Sequence, residues 1–196
     1  MKLDTMRLEG SQHGQAVIDR DTVEFIAQGK TDWFFNPLDG SRLSNVVRLT
    51  QEVDERAFTL SARISVDFAS AYDAGALFIQ CDEENWAKVA FEYSAQHKPT
   101  IVSVVTKTTS DDADGPNHDQ DHIWLRLYCD GKIIAAHFSE NGHRWRFLRF
   151  FTIPGVGRRP IRVGLGAQSP TGTGTRVRMS DVRLSPARIE NLRNGE

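Results

Sequence analysis

Two charged side chains, Lys88 and Glu92, lie four residues apart in the apolar run "NWAKVAFEY", residues 85 to 93. In a β-strand, positions i, i+2 and i+4 share one face, so Lys88, Ala90 and Glu92 project together, with Trp86 at the end of the row. The preceding run "AGALFIQ", residues 74 to 80, adds Phe78 and Gln80 to the same face if the two runs pair as a hairpin. An acid and a base beside two aromatic rings form a surface for a polar ligand with an apolar side, which is the description of a sugar ring. A structural alternative has Phe78 and Trp86 lying under loops or a neighbouring strand, since single apolar side chains on a surface are common.

Hydrolysis of a sugar would need more than one carboxyl group, with two of them roughly 5 to 9 Å apart. The sandwich glucanases carry theirs on one strand face as E-x-D-x-x-E, and the nearest local sequence, "EVDERA" at 52 to 57, fails because Ala57 stands in the last position. Glu92 is then the candidate general acid or base, and a loop aspartate, Asp73 or Asp111, its candidate partner. The acidic stretch "SDDADGPNHDQDH", residues 110 to 122, aligns imperfectly with the calcium-loop pattern D-x-[DN]-x-[DN]-G-x5-E. Ser110 replaces the first acid and the short Asp121 the last. It reads as a solvated acidic loop with no metal and no cofactor, in which Asp112, Asp114 and Asp121 are the oxygens a cation would use. His118 and His122 would share a face only on a helix, which Pro116 argues against. No G-x-S-x-G elbow, Cys-His pair or phosphate-cradling glycine loop occurs.

The elements that must position these residues are strands. The chain has 196 residues, 39% of them hydrophobic, in the range of one β-sandwich domain. In "FTLSARISVDF", Phe58, Leu60, Ile64, Val66 and Phe68 alternate with Ser61, Arg63, Ser65 and Asp67, with the small Ala62 in the apolar row. Similar period-two runs cover 100–108, 122–139 with Asp130-Gly131 as its turn, 143–153, 161–169 and 176–184. Turns at this spacing without helices between them predict an antiparallel sandwich. For the hairpin, a three-residue loop Glu83-Glu84-Asn85 with Asn85 left-handed would pair Gln80 with Lys88 and Phe78 with Ala90. Leu77, Ile79, Cys81, Ala87, Val89, Phe91 and Tyr93 then face the core. The fold is expected over residues 1–186, with 187–196 as a loose charged tail.

A net charge of −2 with scattered Lys and Arg offers no basic field for nucleic acid. The start "MKLDTMRLEG" has no apolar leader segment and no run of eighteen apolar residues occurs, so no membrane partner and a cytoplasmic location are expected. Cys81 and Cys129 fall in apolar runs and read as small core hydrophobes, unpaired.

Taken in order, "KTDWFFNP" at 30–37, "DAGALFIQCDEENWAKVAFEY" at 73–93, "IVSVVTK" at 101–107, "SDDA" at 110–113, "WLRLY" at 124–128 and "GLGAQSPTGTG" at 164–174 resemble one family. It is the family labelled regulation of enolase protein 1, within the concanavalin A-like lectin/glucanase superfamily. The resemblance runs from about residue 10 to residue 186. It implies an all-β jelly roll of two antiparallel sheets with a concave, groove-forming face. It brings no reaction, substrate or catalytic set, and its enolase label implies no enolase chemistry. Family members often carry an aromatic residue after the Ser-Asp pair, where this chain has Asp112, so its groove mouth is more acidic. The leading reading is a lectin-like module that binds an oligosaccharide without catalysis, using Trp86, Phe78 and Trp33 as stacking groups. Lys88, Glu92, Asp73, Asp111 and Arg126 are its polar contacts. The alternatives are a glycoside hydrolase acting through Glu92 and a loop aspartate, and a protein-interaction sandwich or homodimer that uses the aromatics as a contact patch.

Overall fold

Alternation of the kind seen over Phe58–Val66 dictates a strand with one face packed and one face turned away, and the computed structural model, which describes residues 2–196, shows this repeated along the chain. Among the described residues the strands are, in chain order, β1 (Arg7–Glu9), β2 (Gly14–Asp19), β3 (Thr22–Gln28), β4 (Trp33–Phe35), β5 (Arg42–Ser44), β6 (Val47–Val53), β7 (Phe58–Val66) and β8 (Ala74–Gln80). They continue as β9 (Asn85–Tyr93), β10 (Pro99–Lys107), β11 (Thr109–Asn117), β12 (His122–Cys129), β13 (Ile134–Ser139), β14 (Arg146–Phe151), β15 (Ile161–Gln168) and β16 (Gly174–Ser185).

Two seven-stranded antiparallel sheets result. The groove sheet has the order β1-β6-β15-β8-β9-β10-β11, and the tail sheet β14-β13-β12-β7-β16-β3-β2. Their facing surfaces make one core, with Leu77, Ile79, Val89, Phe91 and Ile101 meeting Leu60, Ile64, Ile123, Leu125 and Met179. Each fully buried side chain of this kind contributes about 1.5–3 kcal/mol. Gly75 lets the sheets approach closely, because a Cβ there would lie 2.5 Å from Val177 Cγ1 and 2.8 Å from Ile64 Cγ2.

The β8–β9 hairpin differs in register from the expected one. Its three-residue loop is Asp82-Glu83-Glu84, so Phe78 pairs with Lys88, Ala76 with Ala90 and Ala74 with Glu92. Asn85 is the first strand residue, and its carbonyl accepts from the Cys81 amide at 2.9 Å. The loop is set by Asp82, whose carboxylate accepts from the Glu84 amide at 2.9 Å and the Asn85 side-chain amide at 2.8 Å. Moving the loop by one residue shifts the register by two, so every side chain keeps its face. The turn after β12 is also longer than a two-residue one. Cys129 pairs with Ile134, and Asp130 caps the loop by accepting from the amides of Lys132 and Ile133.

Residues 110–117 form a strand, where the composition predicts a loop. Asp111, Asp112 and Asp114 of β11 pair with Val105, Val104 and Val102 of β10 and close the groove sheet with a charged edge. The C-terminal residues are not loose. Gly195 and Leu192 supply carbonyls to Arg126 at 2.6 Å and His137 at 2.8 Å, which docks this segment on the outer face of the tail sheet. Cys81 and Cys129 are free, and burial raises both thiols, Cys81 to about 12. Among the described residues no helix is long and apolar enough to cross a membrane.

Candidate functional site

The outer face of the groove sheet is covered at one end by the ribbon of β4 and β5. Trp33 stacks on Trp86 with centroids 4.3 Å apart, Phe35 meets Trp86 edge-on at 5.5 Å, and Trp33 meets Phe78 edge-on at 5.0 Å. Trp86 is consequently 0% exposed, and Phe78 and Trp33 are buried with it. This corrects the assignment of Trp86, Phe78 and Trp33 as stacking groups: they form a second small core under a ribbon and present no ring to a ligand. The same packing covers the aromatic rings that the protein-interaction alternative would use as a contact patch.

Beyond the ribbon the face opens into a groove of about 410 Å³, lined by Lys88 and Glu92 of β9, Asp112 and Asp114 of β11, Asp32 and Phe34 at β4, Tyr72, and Gln168 at the end of β15. Lys88 forms part of its wall and is already engaged. Its ammonium donates to the Trp33 carbonyl at 2.8 Å and to Gln168 Oε1 at 2.7 Å, with Asp32 Oδ1 at 4.0 Å. Burial lowers its pKa, opposed by Asp32, Glu92 and Asp112. Its role in the fold is to peg the β4 ribbon to the sheet. A second anchor of the ribbon is Ser110, whose hydroxyl accepts from the Phe35 amide at 2.9 Å and pairs with Thr106 at 2.8 Å.

Glu92 forms the floor and is 8% exposed. No side-chain hydrogen bond or ion pair holds it among the described residues. Burial pushes its pKa up to about 8, against the pull of Lys88, and Asp32, Asp114 and Asp112 add to the rise. A carboxylic acid that keeps its proton at neutral pH can donate a hydrogen bond as well as accept one.

Of the other residues expected at the site, Asp73 lies beneath it. Fully buried, it accepts from the amides of Ala69 and Ser70 at 3.0 and 2.8 Å and from the Ser169 hydroxyl at 2.6 Å. Its acceptors are taken up in shaping the loop that carries Tyr72. Tyr72 adopts φ +70°, a left-handed conformation costly for a residue with a large side chain, and stays 40% exposed at the groove. Asp111 points to the opposite side of β11, where Arg149 of the tail sheet meets it at 3.2 Å. Asp121 lies outside the groove, exposed, its carboxylate bonded to His122. Among the described residues no three His, Cys, Asp or Glu side chains converge to hold a metal ion, so Asp112, Asp114 and Asp121 do not form the cation loop weighed from sequence. Arg126 is on the outer face of the tail sheet, across the whole sandwich. There it lies over the Trp145 ring and donates to Gly195. The structure therefore brings together Lys88, Glu92, Asp112 and Asp114 and separates Asp111, Asp121 and Arg126 from them. The sequence reading missed Asp32, Phe34, Tyr72 and Gln168. Three of these lie inside the segments "KTDWFFNP" and "GLGAQSPTGTG", in which Trp33 alone had been given a role.

Residues 12–187 match the family described as protein of unknown function (DUF1349). The chain belongs to that family. The DUF1349 description carries no enolase label, and no curated protein matches the sequence. Among solved structures, the chain is similar to a functionally unknown protein from Saccharomyces cerevisiae, with a TM-score of 0.87 at 21% identity, covering 96% of this chain and all of that one. A GH43 glycoside hydrolase engineered for endo-xylanase and exo-arabinofuranosidase activity gives a TM-score of 0.65 at 16% identity. The match covers 89% of this chain, which spans only 36% of the hydrolase. The metal-free lectin I-B4 from Griffonia simplicifolia gives 0.59 at 14% identity, covering 93% of each chain. At these identities the likenesses establish the fold alone, an antiparallel β-sandwich of the concanavalin A-like jelly-roll kind.

Proposed function

We propose that this DUF1349 protein is a lectin-like module that binds a sugar-containing ligand in the groove of the β8–β11 face. One observation carries the reading. The groove combines exposed Tyr72, held at a strained φ, with the polar groups of Glu92, Gln168, Asp112 and Asp114 around a single opening. Conformational strain of this kind persists where the surrounding structure imposes it, here through Asp73. A phenol ring can cover the apolar side of a sugar while carboxyls and amides take its hydroxyls, as in other small-ligand sites. The stacking role moves from the buried Trp86, Phe78 and Trp33 to Tyr72, with Phe34 beside it. A glycan array probed with the full chain is expected to give at least one ligand, and Tyr72→Ala is expected to weaken it by about tenfold. A blank array, or binding indifferent to Tyr72→Ala, counts against the reading.

Glycoside hydrolysis is the second reading, and the specific support for it is the raised pKa of Glu92 beside other carboxyls. In this reading Asp112 or Asp114 replaces Asp73 and Asp111 as the partner, because the latter two are engaged elsewhere. Release of nitrophenol from aryl glycosides, abolished by Glu92→Gln, is its expected signature. Sugar binding with no turnover by the wild type leaves the lectin reading alone.

A further inference from the structure

The residues lining the groove are out of balance in charge. Asp32, Asp112 and Asp114 face it together with the carboxyl of Glu92, which burial keeps protonated, and Lys88 is the one base among the described lining residues. That base is held in the wall, its ammonium donating to the Trp33 carbonyl and Gln168 with Asp32 at 4.0 Å, so carboxyls outnumber it in the groove. Asp112, Asp114 and Glu92 have no ion-pair partner among the described residues. Glu92 supplies the observation that distinguishes this from an ordinary acidic edge: it is more than nine-tenths buried, holds no protein partner, and lines the cavity. Its carboxyl opens on the groove, so whatever fills the groove, water or ligand, meets it there.

Spacing decides what that something is. Asp112 and Asp114 are two residues apart on one strand, so both side chains take the groove face of β11 from Cα atoms about 6.6 Å apart. That separation suits an ammonium group with several N–H donors lying between them better than a metal ion, which needs oxygens converging at about 2.0–2.6 Å. The absence of a converging set of metal ligands among the described residues agrees. Tyr72 and Phe34 add ring faces, which attract cations and disfavour anions. We propose that the groove selects a ligand bearing a protonated amine, an amino sugar whose ammonium group lies between Asp112 and Asp114 over the carboxyl of Glu92. The inference rests on the sugar-binding reading and names the class of sugar.

Calorimetric titration of the full chain at about pH 6 separates the two claims. The probes are a β-1,4-linked glucosamine tetramer, its fully N-acetylated counterpart, the glucose tetramer and spermidine. The glucosamine tetramer is expected to bind at least about tenfold tighter than the acetylated or glucose tetramers. Its affinity is expected to fall as salt rises from about 20 to 200 mM. The double variant Asp112→Asn/Asp114→Asn removes both effects, and because the two side chains are exposed its melting temperature stays near that of the wild type. Equal or tighter binding of an uncharged tetramer overturns the amine inference and leaves the sugar reading standing. Spermidine binding that matches the glucosamine tetramer, with no uncharged sugar bound, supports amine recognition and overturns the sugar reading. Failure of both amines to bind overturns the inference outright.

Discussion

Glu92 is the residue whose chemistry is most altered by the fold. Its pKa rises from 4.5 to about 8 because burial between β8 and β10 removes the water that would solvate its charge. The folded protein therefore holds a proton that the unfolded chain releases. The stabilisation linked to this proton is fully present below pH 4.5 and is lost as pH rises through about 8. Within that window it changes stability by up to about 1.4 kcal/mol per pH unit. His137 acts with the opposite sign, because burial lowers its pKa from 6.5 to about 4, and its contribution is lost as pH falls through that value. The wild-type curve blends the two, so the difference between proteins is the diagnostic. Glu92→Gln, neutral at every pH, is expected to match the wild type near pH 5 and to become the more stable protein toward pH 8. Urea unfolding at several pH values reads this directly, and parallel curves for the two proteins would mean that Glu92 titrates normally.

At the scale of elements, the β4–β5 ribbon converts one half of an open sheet face into a second core and leaves the other half as a groove. Trp33 is the contact on which this depends, since it touches both Trp86 and Phe78. Trp33→Ala is expected to destabilise the protein by about 3–5 kcal/mol. It should also shift tryptophan emission to the red as Trp86 meets water, whereas Trp33→Phe should lose less than half as much stability. An unshifted spectrum would show that Trp86 is shielded by something other than the ribbon. This element also marks the limit of what the sequence made legible. Alternation at Phe78, Trp86, Lys88 and Glu92 reports which face a side chain takes, and those faces are as read. Whether a face is covered depends on β4, which precedes all four by more than forty residues, and no local periodicity carries that. The β2–β3 hairpin escaped for a different reason. Its two-residue turn, Arg20-Asp21, puts Arg20 at φ +56° with neither Gly nor Asn to signal it. The strand β11 was hidden by its aspartates, which oppose strand propensity in isolation. They are accommodated because β10 supplies the hydrogen bonds and the edge leaves the side chains in water.

For the whole molecule, the sandwich has two outer faces with different coverings, and the core between them separates their chemistry. On one side the ribbon and the groove share the outer face of the groove sheet. On the other, the C-terminal residues lie over Arg126 and His137, and Arg193 covers the rings of Phe147 and Phe150 at 5.1 and 5.0 Å. Arg126 is poorly satisfied there. Its Nε has no partner, its bond to the Gly195 carbonyl is its one hydrogen bond among the described residues, and burial lowers its pKa to about 10. Replacing a buried, incompletely paired charge by an apolar side chain of similar length is commonly neutral or stabilising. Arg126→Met is thus expected to leave stability unchanged or raise it by about 1 kcal/mol, keeping the packing on Trp145. Because the substitution is on the far side of both sheets, ligand affinity in the groove should be the same as in the wild type. Thermal melts and titrations of one preparation test both halves of the prediction. A large loss of stability would mean that the Gly195 contact organises the tail sheet, and a loss of affinity at normal stability would mean that the two faces communicate through the core.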